Sequence, residues 1–253
     1  MTLRRLENKA VLITGAASGI GLGAAERLAQ EGAQILACDI NAALLESEVS
    51  RLRQAGLQVT AHVLDVTSVA SCNAAVAQAI ASFGKLDVLC NVAGTLLTKH
   101  FEDISDDEWQ RQMAINVTGI FSLCRAAMPH LLASKGNVVN VASIAGIIGI
   151  PYGTAYSATK GAVLMFSKAL AVEYASRGVR VNVVCPGAVA TPLSMSTVLP
   201  EGADFSLIGK LLPLLPDIGQ PADIAAGIAY LASDDARFMT GAALTIDGGQ
   251  TAA

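Results

Sequence analysis

The stretch Ala10-Val11-Leu12-Ile13-Thr14-Gly15-Ala16-Ala17-Ser18-Gly19-Ile20-Gly21 decides how the rest of the chain is read. An apolar run ending in Thr14 is the pattern of a short strand covered on both faces. Behind the glycines, Leu22, Ala25, Leu28 and Ala29 repeat at three and four, which predicts a helix. Strand, glycine turn and helix in that order suit a dinucleotide. Gly15 permits the tight turn, Gly19 lets backbone approach a pyrophosphate, and Gly21 lets the helix pack close to the strand. Ser18 and Ile20 belong to the same turn, whose N–H groups would face the anion.

The same alternation continues along all 253 residues. Strand patterns occupy Ala10–Thr14, Gln34–Asp39, Val59–Leu64, Leu86–Asn91, Asn137–Ser143, Arg180–Cys185 and Ala243–Ile246, with helical patterns between them. Regular alternation implies right-handed crossovers, hence a doubly wound, seven-stranded parallel sheet with helices on both faces. Residues 1–253 are expected to form one domain. One segment departs from the rhythm. From Pro192 to Gln220 apolar residues are mixed with Pro200, Gly202, Gly209, Pro213 and Pro216, too apolar for a solvated loop, and a substrate lid is the expectation.

Composition excludes other classes. A net charge of −4 gives no reason to expect nucleic acid, and no apolar run approaches a membrane span. The N-terminus has no signal-peptide pattern, so a cytoplasmic protein is expected. The five cysteines form no CxxC pair, Cys38, Cys90 and Cys185 sit in buried-strand patterns, and the three histidines lack ligand spacing, so no metal is expected.

The second strand ends in Asp39, followed by Ile40. A carboxylate there can accept hydrogen bonds from the adenosine ribose and would repel the 2′-phosphate of NADP. At about 4 Å and an effective dielectric near 20, that repulsion is roughly 4 kcal/mol. No Arg or Lys stands in the glycine loop to offset it, so NAD is expected over NADP; the competing role of Asp39 is to cap the next helix through Asn41.

With these residues in place the chain resembles the short-chain dehydrogenases/reductases, in the branch of about 250 residues, from roughly Leu6 to the C-terminus. The matching motifs are Thr14-Gly15-xxx-Gly19-x-Gly21, Asp65-Val66, Asn91-Val92-Ala93-Gly94, Asn116, Ser143, Tyr156-xxx-Lys160 and Pro186-Gly187. Val92 departs from the pattern, standing where the family commonly has a second Asn. The resemblance implies a Rossmann-like fold, a nicotinamide cofactor and a homotetramer. It also implies that Asp65 and Val66 hold the adenine and that Asn91, Ala93 and Gly94 flank the adenosine ribose. Pro186, Gly187, Val189 and Thr191 would pass beside the nicotinamide, although Thr191 could simply start a turn before Pro192.

Tyr156 and Lys160 are four apart and share one helix face. A free phenol, with a pKa near ~10, is a poor base at neutral pH, and a neighbouring ammonium lowers it. Tyr156 is therefore the expected general acid/base and Lys160 its tuning partner, also hydrogen-bonding the nicotinamide ribose as the resemblance implies. Ser143, at a strand's carboxyl end, can orient the substrate oxygen. The resemblance gives Asn116 a water to hold in a proton relay.

The predicted reaction is hydride exchange between a secondary alcohol and ketone. Leu96, Leu97, Ile144, Ile147, Ile148, Ile150, Leu193, Met195, Val198, Leu211 and Leu212 make an apolar pocket, with Lys210 its only base. Among these, Leu96, Ile150 and Leu193 are the expected substrate contacts, for a steroid-like, alicyclic or alkyl substrate. The alternatives are reduction of 3-oxoacyl thioesters on an acyl carrier protein, and an idle NAD-sensing or scaffold protein. Asp39 and Val172 argue against the former, the intact Ser143, Tyr156 and Lys160 against the latter. In the helix expected from Tyr156 to Tyr174, the run Ala162–Phe166 is apolar all round, which predicts burial on a second side by a partner or by the lid.

Overall fold

The apolar runs become strands in the predicted order, each four to seven residues long. The computed structural model describes residues 4–208 and 212–252; Gly209 of the expected lid, and Lys210 and Leu211, expected in the pocket wall, lie outside the described residues. The elements are β1 (Ala10–Thr14), α1 (Gly19–Gln30), β2 (Gln34–Asp39), α2 (Ala42–Gln54), β3 (Val59–Val63), α3 (Val69–Phe83), β4 (Val88–Asn91) and α4 (Asp106–Met113). A π-helical turn (Ala114–Thr118) leads into α5 (Gly119–Ser134), β5 (Asn137–Val141), α6 (Thr154–Tyr174) and β6 (Arg180–Pro186). Then follow α7 (Pro192–Met195), α8 (Phe205–Ile208), α9 (Pro221–Ala232) and β7 (Ala243–Ile246).

The sheet order is β3-β2-β1-β4-β5-β6-β7 with every pair parallel. The winding reverses between β1 and β4, and open α/β sheets bind ligands outside the carboxyl ends at that point. Strand periodicity divides the core in two. Val11 and Ile13 pack with Leu28, Leu45, Leu52 and Ile228, while Leu12 packs with Val76, Leu123 and Leu131 on the other face. All five cysteines are free and buried.

Some boundaries move for local reasons. The fourth strand begins at Val88, not Leu86, next to an Asp87 carboxylate that accepts the Ala10 N–H at 2.8 Å. The fifth ends at Val141, not Ser143, since Ser143 caps a short 3-10 turn by accepting the Ala145 N–H at 3.1 Å. Helix α6 starts two residues before Tyr156, at Thr154.

The segment from Pro192 to Gln220 contains α7 and α8 and is tied at both sides. At its base the Ala190 N–H donates to Gly219 O at 2.8 Å. Along it, Thr98 Oγ1 donates to Val198 O at 2.8 Å and the Asp204 N–H to the Tyr152 hydroxyl at 2.6 Å. Met195, Val198, Phe205, Leu212, Leu214 and Leu215 are nevertheless exposed. No helix among the described residues is long and apolar enough to cross a membrane.

Candidate active site

The glycine turn folds as its spacing demands. Gly15 has φ +70°, and a Cβ there would stand 3.0 Å from the Ala93 backbone. Gly19 has φ +53°, and a Cβ on Gly21 would collide with the Gly15 carbonyl. Every side chain larger than hydrogen would therefore fill the cradle or push α1 off β1. Ser18 caps α1 in an extended conformation without accepting any N–H through its side chain, so the first N–H groups of the helix remain available. Such a terminus fits a diphosphate.

The turn forms one wall of a cleft of about 640 Å³. Of the residues expected at the cofactor, Gly15, Ser18, Gly19, Ile20, Gly21, Asp39, Ile40, Asp65, Val66, Ala93, Gly94 and Thr191 line it, as does Leu193 of the substrate set. Asp39 also does the local work foreseen as its competing role. Its carboxylate accepts the N–H groups of Ala17 at 3.1 Å and Asn41 at 2.9 Å, and Asn41 in turn caps α2. Asp65 is held below the usual carboxylate range by hydrogen bonds from Thr67. Thr191 both lines the cleft and caps α7, its Oγ1 accepting the Ser194 N–H at 3.2 Å.

Other expected residues lie away from the cleft lining. The Asn91 side chain is 1% exposed and turns away from the cleft into the core, where it donates to Asn140 Oδ1 at 2.8 Å. Parity explains this: the cleft is lined by the loop beyond the strand, starting at Val92. Val92 also packs against the first core cluster, so the departure from the family pattern serves packing. Val189 is a core residue, and Pro186, Gly187, Leu96 and Ile150 stand outside the cleft lining, as do Asn116, Ser143, Tyr156 and Lys160. Thr95, Arg111 and Ile115 line the cleft without having been anticipated. The four-residue spacing of Arg111 and Ile115, just before Asn116, was the available signal.

Behind Gly94, just beyond that lining, Ser143, Tyr156, Lys160 and Asn116 come together. Lys160 Nζ is 5.5 Å from the centre of the Tyr156 ring and donates to Val141 O at 3.0 Å. It also comes close to Gly94, where a Cβ would be 3.5 Å from Nζ and 3.3 Å from Asn116 Oδ1. Burial pulls Lys160 down to about 8, against a small opposing effect of Cys185. The expected lowering of Tyr156 is not found: burial pushes the phenol up to about 12, with the Ser143 hydrogen bond acting in the opposite direction. Desolvation at the ring outweighs the help expected from the ammonium.

Asn116 is fully buried in the π turn, a feature common at functional sites. Its Oδ1 accepts the Thr95 N–H at 2.8 Å, and its Nδ2 donates to Thr95 O at 2.9 Å and Thr159 Oγ1 at 3.1 Å. Thr159 then donates to Tyr156 O at 2.8 Å. The Asn116 side chain is thus committed to pinning the loop after Gly94 against α6.

A nucleotide cradle joined to a Ser–Tyr–Lys cluster defines a class, and the comparisons agree. A family model described as enoyl-(acyl carrier protein) reductase matches residues 15–251. The chain belongs to the short-chain dehydrogenases/reductases and is an oxidoreductase of CH–OH groups. It is 41% identical over 249 residues to 2,5-dichloro-2,5-cyclohexadiene-1,4-diol dehydrogenase LinX of Sphingobium indicum, covering 97% of each chain. It is 40% identical to a cyclopentanol dehydrogenase of Comamonas sp., over 98% of this chain and 99% of that one. The crystal structure of gox2181 superposes with a TM-score of 0.92 at 33% identity, over 99% of this chain and 98% of that one.

Proposed function

We propose that the protein is a cytoplasmic, NAD-dependent dehydrogenase that interconverts an alicyclic or alkyl secondary alcohol and its ketone. The observation that carries this reading is the junction of the Gly15–Gly21 cradle, with Asp39 at its adenosine side, to the Ser143–Tyr156–Lys160 cluster. When bound, the nicotinamide supplies the hydride chemistry. Tyr156 exchanges the proton with the substrate oxygen, and the Ser143 hydroxyl orients that oxygen. Lys160 has three N–H donors and gives one to Val141 O, which leaves two for ribose hydroxyls. Asn116 contributes by holding Thr95 and, through Thr159, the start of α6.

The ring alcohols in the names of the relatives at 41% and 40% identity support an alicyclic substrate. So does the exposed apolar surface of Leu193, Met195 and Ile147, and the segment 192–220 is read as the lid over it. Exposed Phe121 on α5 with Met165 and Val172 on α6 supports a homotetramer, for which light scattering is the test; a monomer at all concentrations would overturn it.

The deciding assay follows nicotinamide absorbance with NAD and with NADP across steroid, alicyclic and alkyl alcohols, polyols and 3-hydroxyacyl thioesters. NAD-dependent turnover of an alicyclic alcohol, abolished in Tyr156→Phe, is the expected result. Turnover confined to NADP and acyl thioesters would establish the carrier-protein reductase reading instead. NADH binding with no turnover of any alcohol would leave the idle sensor.

A further inference from the structure

A chain of buried amides crosses the second core and touches all three elements that meet at the active site. Asn91 of β4, Asn140 of β5 and Ser167 of α6 are at most 1% exposed. Asn91 Nδ2 donates to Asn140 Oδ1 at 2.8 Å, and Asn140 Nδ2 donates to Ser167 Oγ at 2.8 Å. Ser167 Oγ donates in turn to Val163 O at 2.7 Å. Around the chain lie Val138, Ala142, Val163 and Ala171, so it is a polar thread in an apolar layer. It is not fully satisfied: Asn91 Oδ1 has no partner, and the second contact of Asn91 Nδ2 is to Cys124 Sγ at 3.5 Å.

Such a thread is a poor source of stability. Replacing both partners of a buried hydrogen bond by apolar groups is nearly neutral, whereas an unpaired acceptor is costly. What it adds is direction. An apolar helix face can rotate or slide on an apolar sheet, but a hydrogen bond that bends loses its energy. β4 leads into the Val92–Gly94 loop at the cleft, β5 leads to Ser143 three residues beyond Asn140, and α6 carries Tyr156 and Lys160. Lys160 and Ser167 lie about two helical turns apart on one face. Both are bound to β5, through Val141 O and through Asn140 respectively, so α6 is held to that strand at two heights.

We propose that Asn140 and Ser167 are positioning residues that set the angle of α6 on the sheet, and thereby the placement of Tyr156 and Lys160 against Ser143. This rests on the dehydrogenase reading above. A misplacement of about 1 Å can cost on the order of 100-fold in rate, so a small rotation is enough to matter.

The test is the double variant Asn140→Leu/Ser167→Ala, assayed with an alcohol the wild type oxidises. The wild type alone reports on the dehydrogenase reading; the ratio of variant to wild type reports on this one. NADH affinity, read by fluorescence titration, should stay within about two-fold. kcat should fall at least about ten-fold with little change in KM, since the loss is confined to the transition state. The acid limb of the kcat–pH profile should also move to higher pH, because a displaced phenol loses the Ser143 hydrogen bond that acts against its burial. A folded, NADH-binding variant with wild-type kcat and pH profile would overturn the proposal. Should the double variant not fold, Ser167→Ala is compared with Ser167→Thr, which retains the hydroxyl. A drop of about three-fold in the former, restored in the latter, is expected; equal rates in both would overturn the proposal.

Discussion

The two edges of the sheet treat buried polar groups in opposite ways. At the amino edge, between α1 and β2, the Glu31 carboxylate is 1% exposed and accepts from Arg5 at 2.7 Å and from Arg27 at 2.6 Å. Nearby, Asp87 accepts the Ala10 N–H at 2.8 Å and pairs with Lys85 at 2.9 Å. At the carboxyl edge Lys160 is 4% exposed yet has a single carbonyl as its hydrogen-bond acceptor, and Ser18 caps no N–H. Burial alone would raise Glu31, but its hydrogen bonds from Arg5 and Arg27 outweigh it and leave the carboxyl below its usual range. Nothing comparable rescues Lys160, so desolvation pulls it down to about 8. Paired burial holds the chain together; unpaired burial stores capacity for a ligand.

The sharpest test of that contrast is Tyr156→Phe, which should lower turnover by about 10²- to 10⁴-fold while NADH titration and thermal stability stay near wild type. An equal loss of cofactor binding would contradict the division of labour. Because the phenol is pushed up to about 12, alcohol oxidation in the wild type should keep rising with pH through the alkaline range, and ketone reduction should not.

Lys160→Met should abolish useful turnover and yet stabilise the fold. The shift from 10.5 to about 8 corresponds to as much as about 3 kcal/mol spent keeping the ammonium buried. The sign follows from a folded-state pKa below the unfolded one: the folded state binds fewer protons between those two values. The gain in the variant should be full below pH ~8 and fade as pH rises to ~10.5. Denaturant unfolding at several pH values decides it, and a destabilised Lys160→Met at neutral pH would break the comparison.

At the other edge Arg5→Ala should cost about 2 kcal/mol at neutral pH, since it leaves Glu31 with Arg27 alone. Glu31 is lowered in the folded state, so its contribution is complete above its ordinary value of 4.5 and is lost as pH falls through the folded value. The gap between Arg5→Ala and wild type should therefore close in acid. A gap independent of pH would mean that Arg5 acts by packing.

The smallest effect compares two helix caps. Ser105 heads α4 in a reciprocal capping box, accepting the Glu108 N–H at 3.3 Å while Glu108 accepts the Ser105 N–H at 3.0 Å. Ser105→Ala should cost about 1 kcal/mol and Ser18→Ala only a few tenths. Ser18→Ala should instead weaken NADH binding, measured by fluorescence titration.

The strands were legible because most are largely apolar runs, buried whole in β1 and β5. Glycine positions were legible too, since a Cβ would crowd the Ala93 backbone at Gly15, where φ is +70°, and collide with the Gly15 carbonyl at Gly21. The inward turn of the Asn91 side chain was not legible because a motif tells which residues adjoin a loop, whereas strand parity tells which way a side chain points. Tyr156 was misread in its titration because spacing reports the neighbour and not the water removed around both. The cleft faces of Arg111 and Ile115 were open to reading from their four-residue spacing, but only the fold shows that this face meets the cleft.

Local sequence thus carried the order of elements, the parallel sheet and the glycine turn between β1 and α1. These depend on backbone sterics and on apolar periodicity, which act over a few residues. Folding alone decided which polar groups are paired and which are left open. Glu31 meets Arg5 across 26 residues and Asn91 meets Asn140 across 49, while Lys160 meets no carboxylate among the described residues. Pairing and desolvation are properties of the surroundings in space, and only the packed sheet and helices create those surroundings.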